Sequence, residues 1–130
     1  MKAFFLFFHN NKKLVRTLAI LWTLLILAAC LVPGREVPSV SFPLIDKWVH
    51  FIIFAVFVFL WLGVFKWASA KTIFLITLSA SALGYAVELL QGSGITSGRS
   101  YDPWDWLADS IGGILGASIF WGWRKLSVTE

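Results

Sequence analysis

The stretch TIFLITLSASALGYAVELLQ, Thr72–Gln91, decides how the chain folds. It is long and apolar enough to lie in hydrocarbon, yet it ends on Glu88 and Gln91. Thr77, Ser81, Gly84, Glu88 and Gln91 recur at steps of three or four, so a helix puts them on one face. An ionised carboxylate at the bilayer centre costs roughly 2.5–3.5 kcal/mol even on a lenient insertion scale, so a chain keeps one only with a partner, water or a task. The stretch is therefore a membrane helix with lipid on one side and other helices on its polar side.

The rest of the chain has the same character. Its 130 residues are 58% hydrophobic and 14% charged, too apolar for a soluble domain of this size. Four runs, at about 14–32, 48–65, 72–90 and 106–123, match a hydrocarbon core about 30 Å thick at about 1.5 Å per residue. The joints between them are short and carry Pro33-Gly34, Lys66–Lys71 and Gly92–Asp105. Residues 1–130 thus read as one all-α domain, a polytopic four-transmembrane-helix bundle. Ala3–Phe8 can lie in the interface ahead of the first span.

Charge orients the bundle. Lys2, Lys12, Lys13, Arg16, Lys66, Lys71, Arg124 and Lys125 fall on one side, and only Arg35, Lys47 and Arg99 on the other, which puts both termini in the cytoplasm. The net charge of +4 is a membrane-orienting charge in this setting and points to no nucleic-acid partner. Trp48, Trp104 and Trp106 mark the outer interface, and Trp67, Trp121 and Trp123 the inner one. The single Cys30 excludes an internal disulfide. It closes Leu27-Ala28-Ala29-Cys30, which resembles a lipoprotein cleavage box, but a first membrane helix accounts for the run and keeps the span count even.

On the fourth run Asp102, Asp105, Asp109, Gly112, Gly113 and Gly116 share a face, and Gly112-x-x-x-Gly116 is a close-packing motif. On the second, Asp46 and His50 stand at i, i+4, a spacing at which a carboxylate can orient an imidazole; Asp46 can equally cap the helix. Asp102-Pro103-Trp104-Asp105 has the pattern of a capped helix start. Capping does not explain Asp109, roughly 10 Å further along at 1.5 Å per residue. By the same measure Glu88 and His50 each lie about 6 Å inside the end of their run. His50, Glu88 and Asp109 therefore share a depth below the outer surface, with Arg99 as expected counter-ion and Lys47, Asp46, Gln91, Asp102 and Asp105 as a binding rim.

No Gly-x-Ser-x-Gly, reactive Cys–His pair or phosphate loop occurs, and the His and acid spacing matches no dedicated metal loop. The His and the carboxylates could hold a divalent cation, but with no such loop no metal and no cofactor are expected.

Asp46-Lys47-Trp48-Val49-His50-Phe51, Gly84-x-x-x-Glu88-Leu89-Leu90-Gln91, and Arg99-x-x-Asp102-x-x-Asp105-x-x-x-Asp109-Ser110-x-Gly112-Gly113-x-x-Gly116 resemble, in order, the pattern of the VanZ-like membrane proteins. The likeness runs from about Lys12 to Trp123. It departs after Asp109, where many members carry an Asn and this chain has Gly and Ser. The resemblance implies a small multi-pass protein of the bacterial cytoplasmic membrane, in a family whose founding member is linked to teicoplanin resistance.

Two functions remain open. In the first, the outer cluster binds or acts on an envelope lipid, a lipid-linked precursor or a lipoglycopeptide. Glu88 or Asp109 would be the acid or base, His50 a proton relay, and Arg99 and Lys47 phosphate contacts, making these the candidate catalytic and binding residues. In the second, the cluster is a polar lock in a non-catalytic scaffold, and a homo-oligomer or a membrane-protein partner carries the function. Transport is a weaker alternative, because the acids all lie at one end.

Overall fold

The computed structural model describes residues 6–8, 10–36, 42–65 and 68–128, excepting the side chains of 127 and 128. Lys2, Lys66 and Trp67, and the start of the Ala3–Phe8 segment, lie outside the described residues. The main helices are α1 (Lys12–Leu31), α2 (Ile45–Val64), α3 (Ala70–Gly92) and α4 (Pro103–Val128), with a 3-10 turn at Gly34–Glu36 and no strand among the described residues. Apolar runs become helices because backbone polar groups must be satisfied within the segment when water is absent.

α1, α2 and α3 are each long and apolar enough to cross a membrane. α4 is the longest, at 26 residues, but Asp105, Asp109 and its glycines dilute its apolar character, and it does not meet that standard. Three of the four expected spans are thus supported by composition.

α2 is the central helix. It packs most extensively on α4 and also meets α1 and α3, while α3 leans on α4. The glycine stripe explains the first pairing. A Cβ at Gly112 would overlap the carbonyl oxygen of Phe51, and one at Gly116 that of Ala55. The two helices touch backbone to backbone, one turn apart, as small residues permit. Phe54, Val58 and Leu62 of α2 are fully buried in the core beside Ile26, Ala80 and Phe120. Leu21, Leu24, Phe74, Leu78, Ile114 and Ile119 face outward and exposed, as a lipid-facing rim requires.

The ends of the bundle are tied differently. At the end holding the N-terminus of α1, Lys12 Nζ donates to the carbonyls of Gly63 (2.8 Å) and Phe65 (3.1 Å), closing orphan acceptors at the end of α2. Arg124 Nη1 donates to Ala68 O at 2.7 Å, and Ser69 caps α3 through Thr72 N. Trp123 stacks among Phe8, Phe59 and Phe120, and Lys125 lies 4.0 Å over the exposed Trp121 ring. At the other end the chain leaves α1, enters α2, leaves α3 and enters α4, so these four termini surround the polar residues.

One expectation about helix starts is corrected. Leu44, not Asp46, is the N-cap of α2; it adopts φ 56°, ψ 27° and makes no side-chain cap bond. Asp46 sits in the first turn, where an acid suits the helix dipole.

Candidate functional site

His50 is the hinge of the cluster. Its position on α2 directs it across the glycine-tight contact at α4, where its Nδ1 lies 2.9 Å from Asp109 Oδ1. Asp46, the expected orienting group, makes no such bond among the described contacts; the α2–α4 crossing delivers Asp109 instead. Gly84 makes room from the third side, since a Cβ there would overlap the Asp109 carboxylate. Glu88 and Asp109 have no exposed surface, and His50 is 8% exposed. Glu88 Oε1 and Asp109 Oδ2 are buried without a hydrogen-bond partner. Such orphan oxygens are uncommon and call for an explanation.

Glu88 is held in an unexpected way. Its Oε2 accepts the backbone N–H of Asp102 at 2.9 Å. In a capping box that N–H would go to the side chain at the third helical position, Asp105. Asp102 itself caps α4 through Trp104 N at 2.9 Å. Asp105 is thereby released from capping and turns inward, 9% exposed, with Oδ2 3.9 Å from His50 Nε2. The sequence assigned Asp105 to the rim; the fold makes it part of the centre. Its i, i+4 spacing from Asp109 was the signal available for that.

Lys47, not Arg99, is the principal cation. Its Nζ contacts Asp46 Oδ2 (2.7 Å), Asp102 Oδ2 and Asp105 Oδ1 (2.8 Å). The Lys47 ammonium donating to Asp102, outside the helices, holds that carboxyl below its ordinary value. Arg99 forms no ion pair with a described carboxylate, and its Nε donates to Val32 O at 3.3 Å. The expectation of Arg99 as counter-ion is corrected on this geometry: the loop ties it to the end of α1, where it lines a cavity with Asp46 and His50 but pairs with no described carboxylate. Gln91, buried, donates from Nε2 to Cys30 O at 3.2 Å and so ties α3 to α1. Cys30 is a free, buried thiol in that packed helix.

A cavity of about 430 Å³ opens beside the cluster, between the end of α1 and the start of α2. Ala29, Val49 and Ile53 give it an apolar wall, while Glu36, Asp46, His50, Gln91 and Arg99 give it polar groups. His50 thus belongs to both the cavity and the buried acids. Deeper along α3 and α4, Ser81 and Ser110 share a hydrogen bond of 2.8 Å, and Trp106 Nε1 donates to Ser81 O and Oγ at 3.1 Å. Nothing in spacing alone pairs those residues.

Two sets of groups could hold a metal ion, with ligand atoms within 4.8 Å of one another: His50, Glu88 and Asp105, and Asp46, Asp102 and Asp105. The second surrounds the Lys47 ammonium.

Comparison with known proteins agrees with the motifs. A family model described as VanZ/LLP1 matches residues 3–124. No curated protein and no solved structure gives a significant match.

Proposed function

The chain belongs to the VanZ/LLP1 family, and from that premise we propose that its polar site receives the headgroup end of an envelope amphiphile at the outer face of the bacterial cytoplasmic membrane. The amphiphile is an envelope lipid, a lipid-linked precursor or a lipoglycopeptide. α4 is the fourth span in this reading, because its 26 residues reach about 39 Å and its acids and glycines turn inward. The segregated basic residues support both termini in the cytoplasm.

The observation that carries the proposal is His50, which lines the cavity and reaches Asp109 in the same pose. A proton taken from a hydroxyl or phosphate in the cavity passes to the imidazole and is answered by the Asp109 carboxylate behind it. Arg99 is the one strongly basic group among the described residues of a lining that also carries Glu36 and Asp46, so a headgroup with both positive and negative charge fits it, and Ala29, Val49 and Ile53 meet the first segments of a chain. Lys47 secures the neighbouring mouth by gathering Asp46, Asp102 and Asp105.

Glu88→Gln and Asp109→Asn test this reading, since each keeps shape and some hydrogen bonding but removes the ionisable proton. Both variants are expected to lose teicoplanin protection while remaining membrane-inserted at normal level, with vancomycin, which lacks the acyl tail, as control. Retained protection in both would eliminate the acid–base role. A second reading, the polar lock, is favoured by the Glu88–Asp102 backbone bond. It predicts that stability and protection fall in proportion.

A further inference from the structure

We propose that His50, Glu88 and Asp105 form a binding site for one divalent cation of the zinc or manganese kind; this does not rest on the proton relay above but replaces it, because a cation on Nε2 with Asp109 on Nδ1 leaves the imidazole no nitrogen to take a proton. Their donor atoms, one per residue, already lie within 4.8 Å of one another. His50 Nε2 and Asp105 Oδ2 lie 3.9 Å apart, wider than the roughly 3.4 Å between two ligands of a tetrahedral zinc with bonds of about 2.1 Å, so the two side chains close by about half an ångström on the ion. Glu88 brings a donor with no other use: Oε1 is buried and unpartnered while Oε2 is fixed on the Asp102 backbone. A cation fills that vacant valence; a neutral lock leaves it empty.

The surrounding groups have the arrangement a metal site needs. His50 gives its Nδ1 to Asp109, which orients the ring and leaves Nε2 for the ion, as in carboxylate–histidine–metal triads. Lys47 takes Oδ1 of Asp105 and leaves Oδ2 turned to His50. The outer trio of Asp46, Asp102 and Asp105 is not the site, because the Lys47 ammonium already stands among all three. One imidazole with two carboxylates suits zinc or manganese better than calcium, which takes six to eight oxygens. Because the ligands come from three helices, no spacing along the sequence reveals them. Three protein ligands leave a coordination position open for water or substrate.

The test uses the full chain in detergent, stripped with a chelator and then titrated with Zn²⁺ or Mn²⁺ alone. The expected result is one equivalent bound per chain by elemental analysis, with a rise in melting temperature that EDTA reverses. Glu88→Gln should weaken binding at least tenfold, and Asp109→Asn, a positioning change, about 10–100-fold. Should Glu88→Gln fail to fold, the wild-type protein loaded with Mn²⁺ decides by spin resonance: coupling to a histidine nitrogen is expected, and an all-oxygen signal would overturn the proposal. Absence of uptake by the folded wild type at millimolar metal overturns it. So does uptake kept in Glu88→Gln but lost in Asp46→Asn, which would move the ion to the outer trio.

Discussion

Gly112 and Gly113 are neighbours in one helix, yet an added methyl should have opposite effects at the two. In a helix interior, Ala is about 0.8–1.0 kcal/mol better than Gly. At Gly113 a Cβ meets Val58 Cγ2 at 3.4 Å and Ala80 Cβ at 3.6 Å, ordinary contacts, so Gly113→Ala keeps most of that gain. At Gly112 it would overlap the Phe51 carbonyl, an atom of a helix backbone that cannot rotate aside. α2 and α4 must then part, and overpacking of this kind costs about 1–3 kcal/mol. With rigid backbone on the other side the upper end applies, leaving Gly112→Ala destabilised by about 2 kcal/mol net. The gap between the variants is about 3 kcal/mol, or roughly a hundredfold in the folding equilibrium. Phe51 follows His50, and Gly112 is almost one turn beyond Asp109, so the same parting should lengthen the His50–Asp109 bond of 2.9 Å. Both proteins should be unfolded in mixed micelles of rising SDS content, with helicity as readout. If Gly112→Ala proves as stable as Gly113→Ala, the backbone contact does not govern the crossing and the reasoning fails.

The other predictions concern the rim and the tie to α1. Gln91→Leu should cost about 1 kcal/mol by removing the bond to Cys30 O, and its mark should be faster alkylation of the Cys30 thiol as α1 loosens. Unchanged labelling would show that the bond does not hold α1 in place. Lys47→Gln should cost about 2 kcal/mol, less than the roughly 3–5 of a fully buried pair, because Asp46 and Asp102 are partly wet. The loss would be read from the same micelle unfolding. Asp102, whose carboxyl is held below the ordinary 3.8, should stabilise the fold fully above that pH and lose its contribution as pH falls through the lower folded value. The melting temperatures of wild type and Asp102→Asn should therefore converge on acidification, and a constant gap would refute the link.

What the sequence made legible follows from how membrane helices form. Each satisfies its backbone alone, so hydropathy located the helices and period 3.6 located their polar faces, and Glu88, Asp109 and His50 were found at one depth on that basis. Which side chain meets which depends on how the helices are rotated and how closely they pass. Asp46 was as good a partner for His50 by spacing as Asp109 is by geometry, and only the Gly112 and Gly116 contacts with α2 choose between them. Arg99 and Lys47 were both available cations, but the loop bonds Gly34 N–Ser97 O (2.9 Å) and Arg99 Nε–Val32 O commit Arg99 to the end of α1. Asp105 fits a capping position and fails to cap because a residue 17 places earlier takes its donor. α4 carries its polarity inward, so its hydropathy understates how apolar its outer face is.

The His50–Asp109 bond spans 59 positions of the chain, and that separation has a consequence in time. Synthesis runs at about 5–20 residues per second, so α2 enters the membrane roughly 3–12 s before its acid partner leaves the ribosome. Over that interval the imidazole waits without Asp109, and the α2 face that α4 will cover touches lipid or the insertion machinery. The central helix of the finished bundle is therefore a client of its surroundings during biogenesis. A nascent chain ending between Gln91 and Asp109 should be handled by quality control as an orphan subunit, while one extended past Gly116 closes on itself.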